Sequence, residues 1–303
     1  VPTPLFGFDL GGTKIELAVL DPLSGQVLFQ QRTPTPKGDY PGILETIRTL
    51  YLRGRQAAGE PEVLGFGTPG ALDPHSGLLK NSNSVVLNGK DLSSDLEKTL
   101  QKPVLIQNDA NCFALSEAVD GAAAGKTMVF GVILGTGCGG GIIHRGQVWR
   151  GAQAIAGEWG HNPLPWPEPE ELPGLPCYCG MEGCIETWIS GSGIERHYEA
   201  STGDAITAKE VFRLAREGHS SARKIAQDFY THLAKSLAMM INILDPEAIV
   251  LGGGLSLIGE IYTEVPSRWE QWIFSTRIET VLLPPRYGDS SGVRGAAWLG
   301  KSI

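Results

Sequence analysis

The sequence has no uninterrupted apolar run of 18 residues, so it predicts no membrane-spanning helix. Its opening residues lack a basic stretch leading into an apolar one, so no secretory signal is read there and the cytoplasm is the expected compartment. Positive charge is in short supply: Lys and Arg number 25 against 33 Asp and Glu, a net charge of −8. Neither nucleic acid nor an anionic membrane is the expected partner of such a chain. A phosphorylated substrate would have to be met locally, by backbone amides and a metal. Cysteine is scarce as well, with 5 residues in 303, an odd count that does not suit a disulfide framework.

What is plentiful is glycine, 40 residues, against an average share of roughly 7%. The glycines gather at Gly11-Gly12, at 135–141 and at Gly252-Gly253-Gly254, each group following an apolar run. Such groups are read as tight turns where a backbone approaches a ligand. Residues 5–10, 15–20 and 26–32 read as strands, followed by a helix with Ile43, Leu44, Ile47, Leu50 and Tyr51 at helical spacing. A strand is expected at 63–67, a helix at 91–100, a strand at 104–107, and a helix from Asn108-Asp109 to about Val119. Residues 128–134 and 141–144 read as strands flanking a glycine-rich turn; 208–216 and a long stretch ending at Leu244 read as helices, and 248–251 as a buried strand. Residues 162–176 carry six prolines and read as a stiff extended loop. The opening strand–turn–strand pattern at Gly7 recurs at Gly131, an offset of 124 residues, which suggests an internal duplication.

Asp9-Leu10-Gly11-Gly12-Thr13-Lys14 follows a strand directly. Its amides and the Thr13 hydroxyl could face an anion, Lys14 could add charge, and Asp9 could hold a magnesium ion through water. The competing reading is an ordinary hairpin turn. Gly135-Thr136-Gly137 begins a G-x-G-x-x-G match, but a strand is expected after it where a dinucleotide turn would open a helix, so it is read as a second phosphate turn. Gly253 and Gly254 are a third place where bare backbone could meet the adenosine, or simply pack against a helix. Asp109 stands where a strand ends and a helix begins; alone it would be read as an N-cap. The two phosphate turns tip the balance toward a base that accepts the proton of an attacking hydroxyl. Cys177, Cys179 and Cys184 crowd together, with His161 across the proline loop; one His and three Cys suit a closed, structural zinc site.

Taken together, Asp9 to Lys14, Asn108-Asp109-Ala110-Asn111, Gly135-Thr136-Gly137, Gly157-Glu158-Trp159-Gly160-His161 and the cysteine cluster through Glu186 resemble the ROK family of repressors and sugar kinases, and most of all its fructokinases and mannokinases. The resemblance implies an α/β, two-domain, actin-like (ribonuclease H-like, hexokinase-type) fold with ATP and a hexose in an interdomain cleft. It implies a smaller domain over 1–118, a larger one over 119–291 with the zinc site, and a C-terminal helix at about 292–303 packing back on the first. Asp109 matches the family's base, and Asn108, Glu158, His161 and Glu186 match its sugar contacts, with Asn83 a weaker candidate. His161, Cys177, Cys179 and Cys184 match its zinc ligands, so that His161 would use one ring nitrogen for zinc and present its other edge to the sugar. The expected activity is transfer from ATP, with Mg2+, to the 6-hydroxyl of fructose or mannose; N-acetylglucosamine and glucose are the alternatives, and the oligomeric state stays open, a homodimer being common among soluble enzymes. A repressor of the same family would need a helix-turn-helix before the first strand, and a binding module would not need Asp109.

Overall fold

The computed structural model describes residues 2–82 and 84–301. Its strands are β1 (Leu5–Leu10), β2 (Lys14–Leu20), β3 (Val27–Pro34), β4 (Leu64–Thr68), β5 (Ala71–Leu72), β6 (Leu79–Lys80), β7 (Val104–Asn108), β8 (Met128–Leu134), β9 (Cys138–His144), β10 (Gln147–Val148), β11 (Ala248–Gly252) and β12 (Val281–Leu283). The α-helices are α1 (Tyr40–Ala58), α2 (Leu92–Leu100), α3 (Asp109–Val119), α4 (Glu186–Ile189), α5 (Gly191–Thr202), α6 (Ala208–Glu217), α7 (Ser220–Leu244), α8 (Ile261–Glu264) and α9 (Ser291–Leu299). None of them is long and apolar enough to cross a membrane, among the described residues.

Two five-stranded sheets carry the same plan. One runs β3-β2-β1-β4-β7, the other β10-β9-β8-β11-β12. In the first, β1 pairs antiparallel with β2 and parallel with β4; in the second, β8 is flanked by β9 and by parallel β11. Strand for strand, β1 answers to β8 and β2 to β9, as the repeated turn motif implies.

By compactness the chain divides into two units. One comprises residues up to Gly125, residues 141–156 and residues from Arg286 on; the other comprises residues 126–140 and 157–285. These bounds differ from 1–118 and 119–291, since 119–125, 141–156 and 286–291 group with the N-terminal part; α9 lies in that unit and packs on α3, β1 and β4.

Local chemistry accounts for the helices of the first unit. Asp39 caps α1 by accepting from the Gly42 amide, and Ile43, Ile47, Leu50 and Tyr51 recur at helical spacing on its buried face. Asp91 caps α2 in the same way, with Leu92, Leu96 and Leu100 inside. Between them lies a core centred on stacked Phe8 and Phe66, with ring centroids 4.7 Å apart. In the second unit, α7 buries Phe229, Leu233, Leu237 and Ile241, the stripe that the sequence marks as core.

The glycine-rich stretch reads in the sequence as a turn up to Gly141, yet β9 begins at Cys138. Gly140 lies inside the strand because nothing larger fits: a Cβ there would stand 2.7 Å from the Gly157 carbonyl and 2.8 Å from the Trp159 ring. Close packing, rather than a turn, is what this glycine serves.

Candidate functional site

β7 delivers Asn108 and Asp109 to its C-terminal end, where α3 begins. The capping role belongs to Asn108. Its backbone is extended, its Oδ1 accepts from the amides of Ala110 at 2.8 Å and Asn111 at 3.4 Å, and its Nδ2 donates to the Gly70 carbonyl at 3.3 Å. Asp109 is thereby relieved of the cap. It is the first helical residue, exposed, with Oδ1 also accepting from the Ala110 amide at 2.8 Å. Asn108, expected at the sugar, has both ends of its amide engaged within the protein.

On β1, in the same unit, Asp9 lies opposite Glu16 and beside Gly67. The turn that follows is closed by the Gly11 amide donating to the Lys14 carbonyl at 2.9 Å, and Thr35 holds the Gly11 carbonyl through its hydroxyl at 2.7 Å. Gly12 and Thr13 are exposed at its tip. The Lys14 ammonium stands 3.6 Å from Glu16, a fully buried carboxylate that also meets Arg32 at 2.8 Å and the Gln30 amide at 2.6 Å. Glu16 thus fixes the charge of this turn, a role the sequence did not reveal.

Burial, then the charge of Asp109, push the Asp9 carboxyl up to about 6, against the pull of Lys14 and Arg32. Two carboxylates that raise one another's cost of ionisation suit a hard divalent cation, which would offset the repulsion. The donor chemistry therefore fits magnesium. A stability consequence follows. An unfolded Asp titrates near 3.8. Between there and about pH 6 the folded chain holds more protons than the unfolded one, so stability contributed at this site falls as pH rises through that window. Asp9→Asn should therefore be more stable than wild type at pH 8 by about 1–3 kcal/mol, since each tenfold change in an ionisation equilibrium is worth about 1.36 kcal/mol, with the gap shrinking toward pH 4. Urea unfolding of both proteins across that range measures it; a constant difference would mean that Asp9 ionises normally.

In the other unit, β8 leads to Gly135, Thr136 and Gly137, where the Gly135 amide closes the turn on the Gly137 carbonyl at 3.0 Å. The start of α5 holds the turn from below: the Gly191 amide donates to the Gly135 carbonyl at 2.8 Å and Ser192 Oγ to the Thr136 carbonyl at 2.7 Å. Gly135, Thr136 and Gly254 line one cavity of about 590 Å³, together with Phe212, Arg216 and Leu257. Two of the three glycine groups thus meet at one pocket; Gly253 precedes it in a left-handed conformation, φ +79°. Gly11 and Gly12 border a smaller cavity of about 260 Å³ in the first unit.

Glu186 is buried at the start of α4, and its Oε2 accepts from the Cys138 amide at 2.8 Å. Gly137 must stay bare for this, since a Cβ there would lie 2.8 Å from the same oxygen. Burial, then the charges of Glu186 and Glu158, hold the Cys138 thiol well above its usual range, so both carboxylates act on one place. Glu158 itself is exposed, one residue before the short 3₁₀ turn Trp159–His161.

His161, Cys177, Cys179 and Cys184 converge, with their ligand atoms all within 4.8 Å of one another. His161 Nδ1 is 3.6 Å from Cys177 Sγ, and the Sγ atoms of Cys179 and Cys184 are 3.6 Å apart. Tetrahedral zinc with bonds of about 2.3 Å to sulfur separates its sulfurs by roughly 3.8 Å, so the set fits that ion. Burial, with bonds to the neighbouring thiols, pushes the Cys184 thiol up to about 12, so loading the site must release protons. The other edge of His161 is not open as expected: Nε2 lies 2.9 Å from the Tyr178 hydroxyl, the rings edge to face. With Nδ1 as ligand, the proton resides on Nε2 and Tyr178 accepts it, the usual way an outer partner fixes a ligating histidine. Tyr178 carried no signal in the sequence beyond lying between two cysteines. Asn83 lies outside the described residues.

The ROK family pattern matches residues 5–303. An N-acetyl-D-glucosamine kinase of Yersinia pseudotuberculosis is 39% identical over 298 residues, covering 97% of this chain and 98% of that protein. Among solved structures, a ROK hexokinase from Thermus thermophilus superposes with a TM-score of 0.88 at 31% identity, covering 98% of this chain and 97% of that one. A ROK family glucokinase from Streptomyces griseus, solved with glucose and AMPPNP, gives 0.76 at 28% identity, covering 99% and 100%. The two sheets of one plan are thus those of a hexokinase-type α/β fold, and the chain belongs to the ROK family.

Proposed function

We propose that the chain is an ATP-dependent sugar kinase that phosphorylates the 6-hydroxyl of N-acetyl-D-glucosamine. The observation that carries the substrate is the 39% identity, across 97% of the chain, to a kinase named for that sugar. Fructose and mannose, expected from the sequence, lose their place to it, because neither the relative nor the two structural neighbours described above is named for either sugar.

In this reading Asp109 is the general base. Its carboxylate is exposed and fixed on the first turn of α3, where Asn108 has taken over the cap. It draws the proton from the attacking hydroxyl as the bond to phosphorus forms. Glu158 and Glu186 accept from sugar hydroxyls, with Glu186 prealigned by the Cys138 amide. Asn108 acts mainly through the start of α3. The amides of Gly11, Gly12 and Thr13 and those of Gly135, Thr136 and Gly137 are donors to phosphate oxygens, Lys14 adds charge, and Gly253 and Gly254 border the nucleoside. Asp9 would hold magnesium, which when bound neutralises phosphate charge. His161 and the three cysteines would hold zinc, which when bound cross-links the segments that carry the sugar contacts.

The test is ADP release across N-acetylglucosamine, N-acetylmannosamine, glucose, mannose and fructose. N-acetylglucosamine should have the highest kcat/KM, by at least about tenfold, since a site built around a polar substituent rejects sugars that leave its groups unpaired. A higher value for fructose or mannose would reinstate the reading from the sequence. Phosphorylation of none of them would remove the kinase assignment.

A further inference from the structure

Lys235 and His232 on α7 are buried, with side chains only 3% and 8% exposed, and neither has a part in the reaction as proposed. Both point to a single residue of the proline-rich segment, Glu171. His232 Nε2 lies 2.5 Å from Oε1, and Lys235 Nζ donates to Oε2 at 2.8 Å. The Glu168 amide donates to Oε2 as well, at 2.7 Å. Burial alone would raise the Glu171 carboxyl, but these bonds outweigh it and hold it near about 2, so it is charged at any working pH. Lys235 makes a second attachment at 3.1 Å, to the carbonyl of Trp166, a residue in the left-handed region at φ +47°. A tryptophan holds such a backbone only when its surroundings impose it.

Burying the Lys235–Glu171 ion pair contributes little to stability. Well-packed hydrophobic side chains of similar volume often serve as well as such a pair. What these side chains add to the stacking of Trp166 on Trp272 is a fixed place for a segment poor in amide donors. Six prolines within residues 162–176 remove six amide donors. The segment's ends are tied near the metal ligands, where Leu164 donates to Gly183 and Gly183 to Leu175. Between those ends, Trp166 and Glu171 are where α7 takes hold of it. His161 lies just before the segment and Cys177 just after it.

We infer that Lys235, His232 and Glu171 form a positioning clamp that sets the proline segment on α7, and through it the spacing of His161 and Cys177. The clamp rests on the metal reading only for its consequence at the ligands, so the test separates the two. Lys235→Met, which keeps the length of the side chain, is compared with wild type by hydrogen exchange. Amides of 164–175 should exchange about tenfold faster, the loss expected for a charge-assisted hydrogen bond, while the central turns of α7 keep their protection. In zinc-loaded protein, transfer of the ion to a chromogenic chelator should quicken by a similar factor, and the KM for sugar should rise while that for ATP holds. Unchanged exchange in 164–175 would overturn the inference whatever happens to the melting temperature. Faster exchange with unchanged chelation would overturn the link to the ligands. A wild-type protein without zinc would sink the metal reading and leave the exchange result to decide the clamp. Should Lys235→Met not fold, Glu171→Gln, which changes almost no volume, carries the same measurements.

Discussion

Replacing Asp109 by Asn should lower turnover by about two to four orders of magnitude, the usual cost of losing a positioned base. The fold should stay intact. The cap of α3 belongs to Asn108, and the bond that Asp109 accepts from the Ala110 amide can be accepted equally by the Asn oxygen. The cost to α3 is a negative charge in its first turn, typically about 0.3–1 kcal/mol. That loss is partly offset, because Asp9, already opposed by its burial, would no longer face the charge of Asp109. Sugar affinity should change little, since the ground-state hydroxyl still finds an acceptor. Pre-steady-state phosphoryl transfer and calorimetric sugar binding on the same preparation decide the matter. Turnover within a few-fold of wild type would remove Asp109 as the base. Loss of sugar binding in parallel with rate would make it a binding residue instead.

The strands around the first turn were legible because their signal is local. β1, β2 and β8 are short apolar runs that end in glycine turns, and period and turn chemistry suffice to place them. The duplication was legible for the same reason, from two turns 124 residues apart. The start of β9 was not, because glycine carries two meanings: Gly140 permits a close approach inside a strand, and only the facing Gly157 carbonyl distinguishes this from a turn. Of the candidate site, residue types with strong preferences were readable, such as the three thiols and the Asn-Asp pair. What was not readable depends on partners distant in sequence. The cap passing from Asp109 to Asn108 needs the Gly70 carbonyl to orient the amide. The rise of Asp9 comes first from its burial in the folded chain and then from Asp109, which is remote in sequence. The engagement of His161 by Tyr178, and of Glu171 by His232 and Lys235, follows from where a proline-rich segment lies on a helix, which no periodicity encodes. Glu16 looked like any polar residue alternating in a strand until Arg32 and Gln30 closed around it.

Stripping zinc at a temperature where the fold survives should raise the KM for sugar far more than the KM for ATP. Glu158 precedes the short turn that feeds the cluster, His161 ends it, and Glu186 follows Cys184 by two residues. Backbone bonds bind these segments to one another: the Ile185 amide donates to the Asn162 carbonyl at 2.8 Å, and the Thr187 amide to the Cys184 carbonyl at 2.8 Å. Removing the ion frees three thiols and His161 to separate, and Tyr178 loses the partner that oriented it. A displacement of about an ångström in groups that position a substrate can cost roughly a hundredfold, so an effect approaching that size is expected on the sugar side. The turn proposed for the nucleotide is partly insulated. Gly135 and Thr136 hang on α5 through Gly191 and Ser192, but the Cys138 amide also reaches Glu186, so a change of a few-fold for ATP is expected as well. The measurement is a pair of saturation curves, one for each substrate, before and after partial chelation, with metal content followed by elemental analysis. Equal losses for both substrates would mean that the ion supports the whole second unit rather than the sugar contacts. A loss confined to ATP would contradict the assignment of Glu158 and Glu186 to the sugar, because the strand that carries the phosphate turn would then be the part most dependent on the cluster.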